Sequence, residues 1–273
     1  MDDIDRFLRE DVGKKGDITS DALLTNEKAH AFIVAKEKCI VAGLEEASQV
    51  FQRTGATTRL LFKDGSPVRK GDQVMLVQGS ARSILKGERL ALNLIGRMSG
   101  IATETAILVH RCKKINPHVS IAATRKTTPG FRRFEKKAII LGGGEPHRYG
   151  LYDAVLIKDN HLKMIGSVEK TLRMLRNHLP HSMIEIEVEN EADALTAARL
   201  GAEIIMLDNF HPIKGEKVAR KIRQINPRII LEASGGITAE NIEKYASFAD
   251  RISLGYLTHS VKNIDYSLEI IKK

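Results

Sequence analysis

The C-terminal half of the chain repeats one pattern six times. Short runs rich in aliphatic and β-branched residues recur: SIAATR (120–125), AVLIKDN (154–160), MIEIEVEN (183–190), EIIMLDN (203–209), RIILEAS (228–234) and RISLGYL (251–257). Between them lie VEKTLRMLRNHL, NEADALTAARLG, PIKGEKVARKIRQIN and AENIEKYASF, with apolar residues at helical spacing and Gly201 placed as a helix stop. Apolar runs of this kind mark strands buried on both faces. Strand–helix units of about 20–25 residues predict a parallel α/β barrel rather than a sandwich. No G-x-G-x-x-G follows any strand, which argues against a dinucleotide-binding variant.

The first hundred residues read differently. AHAFIVAKEKCIVAG alternates like half-buried strands, EEASQVFQRTG reads as a helix, and DGSPVRKGDQVMLVQGS reads as two short strands around a turn at Lys70-Gly71. That last segment resembles the strand pairs of biotin- or lipoyl-carrying domains, but it lacks a lysine at a hairpin tip flanked by recognition residues. ILKGERLALNLIGRMSGIATETAILVHRCKK is one helix or two, broken near Ser99-Gly100. DYSLEIIKK reads as a last helix that packs back on either part, the N-terminal domain included. The expected division is an N-terminal α+β domain with a connector helix over 1–104, then the barrel over 105–273.

Each strand-like run begins apolar and ends in polar residues. The first ends at Arg125 and Lys126, and the second at Lys158, Asp159, Asn160 and His161. The third and fourth end at Glu187 with Glu189 and at Asp208 with Asn209. The last two end at Ser234-Gly235-Gly236 and at Gly255, with Thr258 and His259 just beyond. In a parallel barrel all C-terminal strand ends face one mouth, so these residues are expected to share an active site.

The mouth's composition narrows its ligand. Between 125 and 148 stand seven Lys or Arg and two Glu, a local balance of +5, within a chain of net charge +9. Arg125, Lys126, Arg148 and Lys158 therefore suit a multiply charged anion, with arginine offering bidentate docking and lysine a point charge. ASGGITAEN sets Ser234 and two glycines before a helix, where backbone N–H groups cradle phosphate. Glu187 and Asp208 then hold Mg²⁺ against phosphates, stabilise a developing positive charge, or simply pair with the lysines. In GGGEPHR the glycines allow close backbone approach, and His147 and Arg148 follow. His161 is a cap or a core hydrogen-bonding residue, and His259 a phosphate donor.

Other classes fit poorly. A nucleic-acid-binding surface needs stacking residues, yet aromatics are 5% of the chain and Trp is absent. No apolar run approaches the roughly 20 residues of a membrane span. The N-terminal stretch is charged from its second residue, unlike a signal peptide. Cys39 and Cys112 form neither a metal-ligand spacing nor a disulfide framework, so a reducing cytoplasm is expected.

Taken in order, ERLALNLIGRMSGIAT, ATRKTTPGFR, GGGEPHRYGL, LIKDNHL, IEIEVEN, IMLDN, LEASGGIT and SLGYLTHS resemble the quinolinate phosphoribosyltransferases (nicotinate-nucleotide pyrophosphorylases, carboxylating). The resemblance runs from GDITSDALL near residue 16 to the last segment. It implies that quinolinate and phosphoribosyl pyrophosphate combine, with Mg²⁺, to give nicotinate mononucleotide, pyrophosphate and carbon dioxide. It implies an N-terminal α/β sandwich beside an open-faced parallel α/β barrel, in a homodimer or higher oligomer whose partner subunit lends an arginine, here Arg89. Carried over by position, Arg125, Lys126, His147 and Arg148 match the quinolinate-binding cations, and Lys158 lies near both substrates. Glu187 and Asp208 match the acidic pair beside the ribose and its metal, and Ser234, Gly235, Gly255 and His259 match the phosphate end. Lys126, Lys158, Glu187 and Asp208 would be the catalytic residues.

Ala123 departs from the Asp or Gly that many relatives carry there. A molybdenum-related branch typically lacks the IKDNH stretch, which Lys158 to His161 supply here. A nicotinate phosphoribosyltransferase is the nearest enzyme alternative, and the density of cations at 125, 126, 147 and 148 favours a dicarboxylate substrate.

Overall fold

A computed structural model describes residues 2–25 and 27–271. The chain forms two compact units. The first comprises Met1–Ala106, Thr128–Gly143 and Val261–Lys273, and the second Ile107–Thr127 and Gly144–Ser260. The chain thus returns to the first unit twice after residue 106.

In the first unit, helices α1 (Asp3–Val12) and α2 (Ile18–Leu23) each start on an aspartate cap. The Asp2 and Asp17 carboxylates accept from the Asp5 and Ser20 amides at 3.0 Å. Strand β1 (Lys28–Ala35) is followed by β2 (Cys39–Ile40), helix α3 (Leu44–Thr54), β3 (Thr57–Leu60), β4 (Pro67–Val68) and β5 (Gln73–Ser80). Neither α1, α2 nor β3 is anticipated from the sequence. The two strands around Lys70-Gly71 exist but do not pair with each other: β4 pairs with β2, and β5 with β1 and β3. Val50 and Phe51 of α3, Ile33 of β1 and Met75 and Val77 of β5 are fully buried.

In this unit one open alternative closes and one expectation fails. Helix α4 (Ala81–Lys113) runs without a break through Ser99-Gly100. The pair serves close packing instead. Ser99 Oγ accepts from the Ala42 amide at 2.9 Å and lies 3.1 Å from Tyr266 Oη. A Cβ on Gly100 would stand 2.2 Å from the Lys262 carbonyl oxygen. The last segment is not a helix but a strand, named β12 below, which pairs antiparallel with β1 over His30↔Ile271 to Ala35↔Tyr266. The β1 edge would otherwise leave a row of N–H and C=O groups without strand partners, and that demand overrides the local pattern of DYSLEIIKK.

Chain order continues with β6 (Ser120–Ala122), α5 (Arg132–Leu141), β7 (Val155–Ile157), α6 (Asp159–Ile165), α7 (Val168–His178), β8 (Ile184–Val188), α8 (Glu191–Arg199), β9 (Ile204–Asp208) and α9 (Pro212–Ile225). Then come β10 (Ile230–Ser234), α10 (Glu243–Ala246), β11 (Arg251–Ser253), α11 (Tyr256–His259) and β12 (Tyr266–Ile271). Of these, α5 and β12 belong to the first unit. The Thr128-Pro129-Gly130-Phe131 turn leads into α5. It closes with the Phe131 amide donating to the Thr128 carbonyl at 3.0 Å, and Gly130 takes φ +77°.

The six strands predicted for the barrel all form. They lie parallel in the order β6-β11-β10-β9-β8-β7, with β6 and β7 at opposite margins, so the sheet is an open-faced barrel. Alternation sorts their side chains. Ile184, Ile186, Val188, Ile205, Leu207 and Leu231 pack in one cluster with Leu172, Ala194, Ala197, Val218 and Ile222 of the surrounding helices. The residues between them face inward: Glu185 and Glu187, Met206 and Asp208, Glu232 and Ser234, with Arg251 and Ser253 on β11. Among the described residues no helix is long and apolar enough to cross a membrane.

Candidate active site

The C-terminal strand ends surround a cavity of about 450 Å³, all of whose lining residues come from the second unit. Arg125 and Lys126 leave β6 on a loop held by local bonds. Thr124 Oγ1 accepts from the Lys126 amide at 3.1 Å, and the Arg125 carbonyl accepts from the Thr127 amide at 2.9 Å. The Thr258 hydroxyl donates to the Lys126 carbonyl at 2.7 Å. Gly255 sits so close that a Cβ there would lie 2.8 Å from Lys126 Cδ and 2.9 Å from His259 Nε2.

At the β7 end, Lys158 Nζ donates to Glu187 Oε2 at 2.7 Å. The lysine side chain is 45% exposed and Glu187 only 11%, so the pair presents its cationic half to solvent. His161 Nδ1 accepts from the Lys158 amide at 2.9 Å, which makes His161 a helix cap for α6, one of its two anticipated roles. On β9, burial and then the Glu187 and Glu189 charges push the Asp208 carboxyl above its usual range, while Lys158 and Lys126 oppose them. Asn209 Nδ2 donates to Asp208 Oδ2 at 2.7 Å.

Asn209 adopts the left-handed conformation at φ +56°, and its amide donates to the Ser234 carbonyl at 2.9 Å. Gly235 takes φ +83°, and a Cβ there would stand 2.4 Å from Asn209 Oδ1. Only glycine meets both conditions.

The loop after α5 is fastened at several points. Glu145 forms a parallel bridge with Ala122, and its carboxylate accepts from Arg251 Nε at 3.1 Å. His147, at φ +52°, accepts the Arg148 amide on Nδ1 at 2.8 Å. Its Nε2 lies 3.5 Å from Glu185 Oε2 and 3.4 Å from Glu232 Oε2. Burial opposes charge on this imidazole, yet the two glutamates together raise it to about 9. Burial alone would also raise Glu232, but His147, Ser253 and Arg251 hold it below the ordinary carboxylate value. Arg148 is buried, and its Nη1 donates to the Ala154 carbonyl at 3.3 Å.

Of the expected site residues, Arg125, Lys126, His147, Arg148, Lys158, Glu187, Asp208, Ser234 and Gly235 line the cavity. Gly255 and His259 do not line it but back the Lys126 loop. Arg89 is exposed on α4 and is not among the lining residues. For a divalent cation, Glu187 and Asp208 each meet one protein donor through a single oxygen. A carboxylate has further acceptor sites, so the pair fits a Mg²⁺ that takes one or two carboxylates and completes its shell with phosphate and water.

A parallel barrel mouth with cations facing carboxylates is the setting in which relatives become informative. Residues 17–99 match the family described as quinolinate phosphoribosyl transferase, N-terminal domain, and residues 101–269 match its C-terminal domain. The chain belongs to the quinolinate phosphoribosyltransferase family. A protein of Archaeoglobus fulgidus named probable nicotinate-nucleotide pyrophosphorylase (carboxylating) is 42% identical over 260 residues, covering 94% of this chain and 99% of that one. The nicotinate-nucleotide pyrophosphorylase (carboxylating) of Mycobacterium leprae is 38% identical over 278 residues, covering 98% and 96%. The crystal structure of the nicotinate-nucleotide pyrophosphorylase of Ehrlichia chaffeensis, 34% identical, aligns with a TM-score of 0.93 over 98% of this chain and 97% of that one.

Sequence reasoning missed part of this phosphoribosyltransferase site. Glu232 and Ser253 also line the cavity, and Glu185 and Arg251 reach it through His147 and Glu232. The signal was available: Glu185 and Glu232 precede the expected Glu187 and Ser234 by two residues, so period-2 alternation turns them inward as well.

Proposed function

We propose that this chain joins quinolinate to phosphoribosyl pyrophosphate and decarboxylates the product, giving nicotinate mononucleotide, pyrophosphate and carbon dioxide on the way to NAD. The observation that carries the reading is the convergence of Arg125, Lys126, Arg148 and Lys158 with Glu187 and Asp208 at one barrel mouth. Arg125 and Lys126 clamp the two ring carboxylates, helped by Arg148 and His147. Ser234 and Gly235, with Gly255 and His259 behind the Lys126 loop, receive the phosphate end.

The ring nitrogen attacks C1 of the ribose while the C1–O bond to pyrophosphate breaks and its electron pair leaves with the pyrophosphate. Positive charge develops at the sugar, and Glu187 and Asp208 stabilise it. Glu187 and Asp208 would hold Mg²⁺, which would supply charge neutralisation for the leaving group when bound. The C2–carboxylate bond then breaks and carbon dioxide departs, the bonding electron pair stays on C2 as an ylide stabilised by the adjacent quaternised nitrogen, and C2 takes a proton on that pair. Positioning and electrostatics suffice, and no covalent enzyme intermediate is needed.

The working unit in this proposal is a homodimer in which Arg89 of one subunit completes the partner's site, and higher assemblies remain compatible with it. Exposed Leu151, Tyr152 and Met164 favour an interface near the open side of the barrel. Two buried free thiols, Cys39 and Cys112, suit the cytoplasm. The test is a reaction with quinolinate, phosphoribosyl pyrophosphate and Mg²⁺, with carbon dioxide and nicotinate mononucleotide followed together beside a parallel reaction with nicotinate. Equal formation of both products from quinolinate alone is expected. Turnover of nicotinate with none of quinolinate would overturn the reading.

A further inference from the structure

Below the mouth the barrel is not filled with hydrocarbon. The next inward positions are Glu185 on β8, Glu232 on β10 and Arg251 on β11, and both glutamates are buried. A TIM-like interior normally carries branched aliphatic side chains at such positions. Replacing them with charge costs desolvation unless the charges are used.

Their partners all lead to one loop. Arg251 joins Glu232 Oε2 to Glu145 Oε2, both at 3.1 Å. His147, two residues after Glu145, points Nε2 between Glu185 and Glu232. Its other nitrogen accepts the backbone amide of Arg148. The Nε2 atom is buried with no well-aligned hydrogen bond, and so is one oxygen of each glutamate. The three groups are therefore close enough to tighten but are not yet closed on one another. A metal trio is a poorer reading of this cluster, because Arg251 already neutralises Glu232.

We propose that Glu185 and Glu232 are positioning residues for the acceptor end of the site. From the layer beneath the mouth they hold His147 by Nε2 and, through the contact between His147 Nδ1 and the Arg148 amide, set where the Arg148 guanidinium meets a substrate carboxylate. This rests on the reading of Arg148 as a quinolinate-binding cation. The charged groups facing His147 are Glu185 and Glu232, with Arg251 behind Glu232 and Arg148 adjacent in the chain. Removing either acid lowers the pH at which the imidazole titrates, and it loosens the corner.

The test uses the full-length chain with Glu185→Gln and Glu232→Gln, each preserving shape while removing charge. Each variant is expected to raise KM for quinolinate about tenfold, the worth of one hydrogen bond to a charged group. The KM for phosphoribosyl pyrophosphate and kcat should stay within about twofold of wild type. The His147 midpoint, followed by imidazole NMR, should fall in both. Equal losses in kcat and in both KM values, or an unmoved His147 midpoint, would overturn the proposal in favour of a purely structural role. Should Glu232→Gln not fold, Glu185→Gln alone decides, since only His147 among the described residues shares an ion pair with it. Absence of quinolinate turnover in the wild type would instead remove the underlying reading, and the NMR midpoints would still report on the clamp.

Discussion

At the scale of single residues, the site divides between groups that meet the ligand and groups that aim them. Lys126 and Lys158 belong to the first kind, and replacing either with alanine should lower kcat by about 10²–10³, the usual cost of one preorganised charge partner. Steady-state turnover of purified Lys126→Ala and Lys158→Ala would measure it, and near-wild-type rates would remove the clamp. Asp208 illustrates the opposite tension. Its carboxylate is held among Glu187 and Glu189 and is partly desolvated, so its charge disfavours the folded state. Asp208→Asn should abolish turnover yet raise the melting temperature near neutral pH, a trade of stability for function. A thermal melt of the two proteins side by side checks this, and a lowered melting temperature would contradict it. What the sequence allowed at this scale was the outer ring of polar strand ends. Glu185 and Glu232 escaped because a buried carboxylate inside an apolar run reads as an exception to the pattern until strand parity is applied to it.

At the scale of elements, the six parallel strands were legible because each is short, β-branched and flanked by a helix of ordinary periodicity. The first unit was less so. A strand such as β3 carries no alternation when three of its four residues are exposed and the other is intermediate. Ser99-Gly100 left a helix break open as one of two readings because glycine lowers helix propensity, but the residue is required by the approach of the chain at Lys262. Gly100→Ala should therefore destabilise the fold by about 1–3 kcal/mol, the range for overpacking a tight contact. Denaturant unfolding would measure it. A neutral or stabilising outcome, as helix propensity alone would give, would mean the contact yields easily. DYSLEIIKK was misread for a related reason: its conformation is dictated by a partner strand more than 230 residues away in the chain, which no local window contains.

At the scale of the whole molecule, the dimer proposal makes a genetic prediction. Arg89→Ala and Lys126→Ala should each be inactive alone, while co-expression should restore turnover, because mixed dimers contain one site with neither lesion. Failure to restore activity, with the dimer confirmed by ultracentrifugation, would return Arg89 to the role of a solvent-facing helix residue.

The pairing of β1 with β12 sets a timetable for synthesis. Lys28–Ala35 is made more than 230 residues before its partner, Tyr266–Ile271. At about 5–20 residues per second, that edge waits on the order of ten to fifty seconds on the ribosome. For that interval Ala31 and Ile33 lie on a strand with one margin open, the condition under which chains stick to one another. The exposure lasts until Tyr266–Ile271 is made, and its arrival both closes this edge of the sheet and ends the danger.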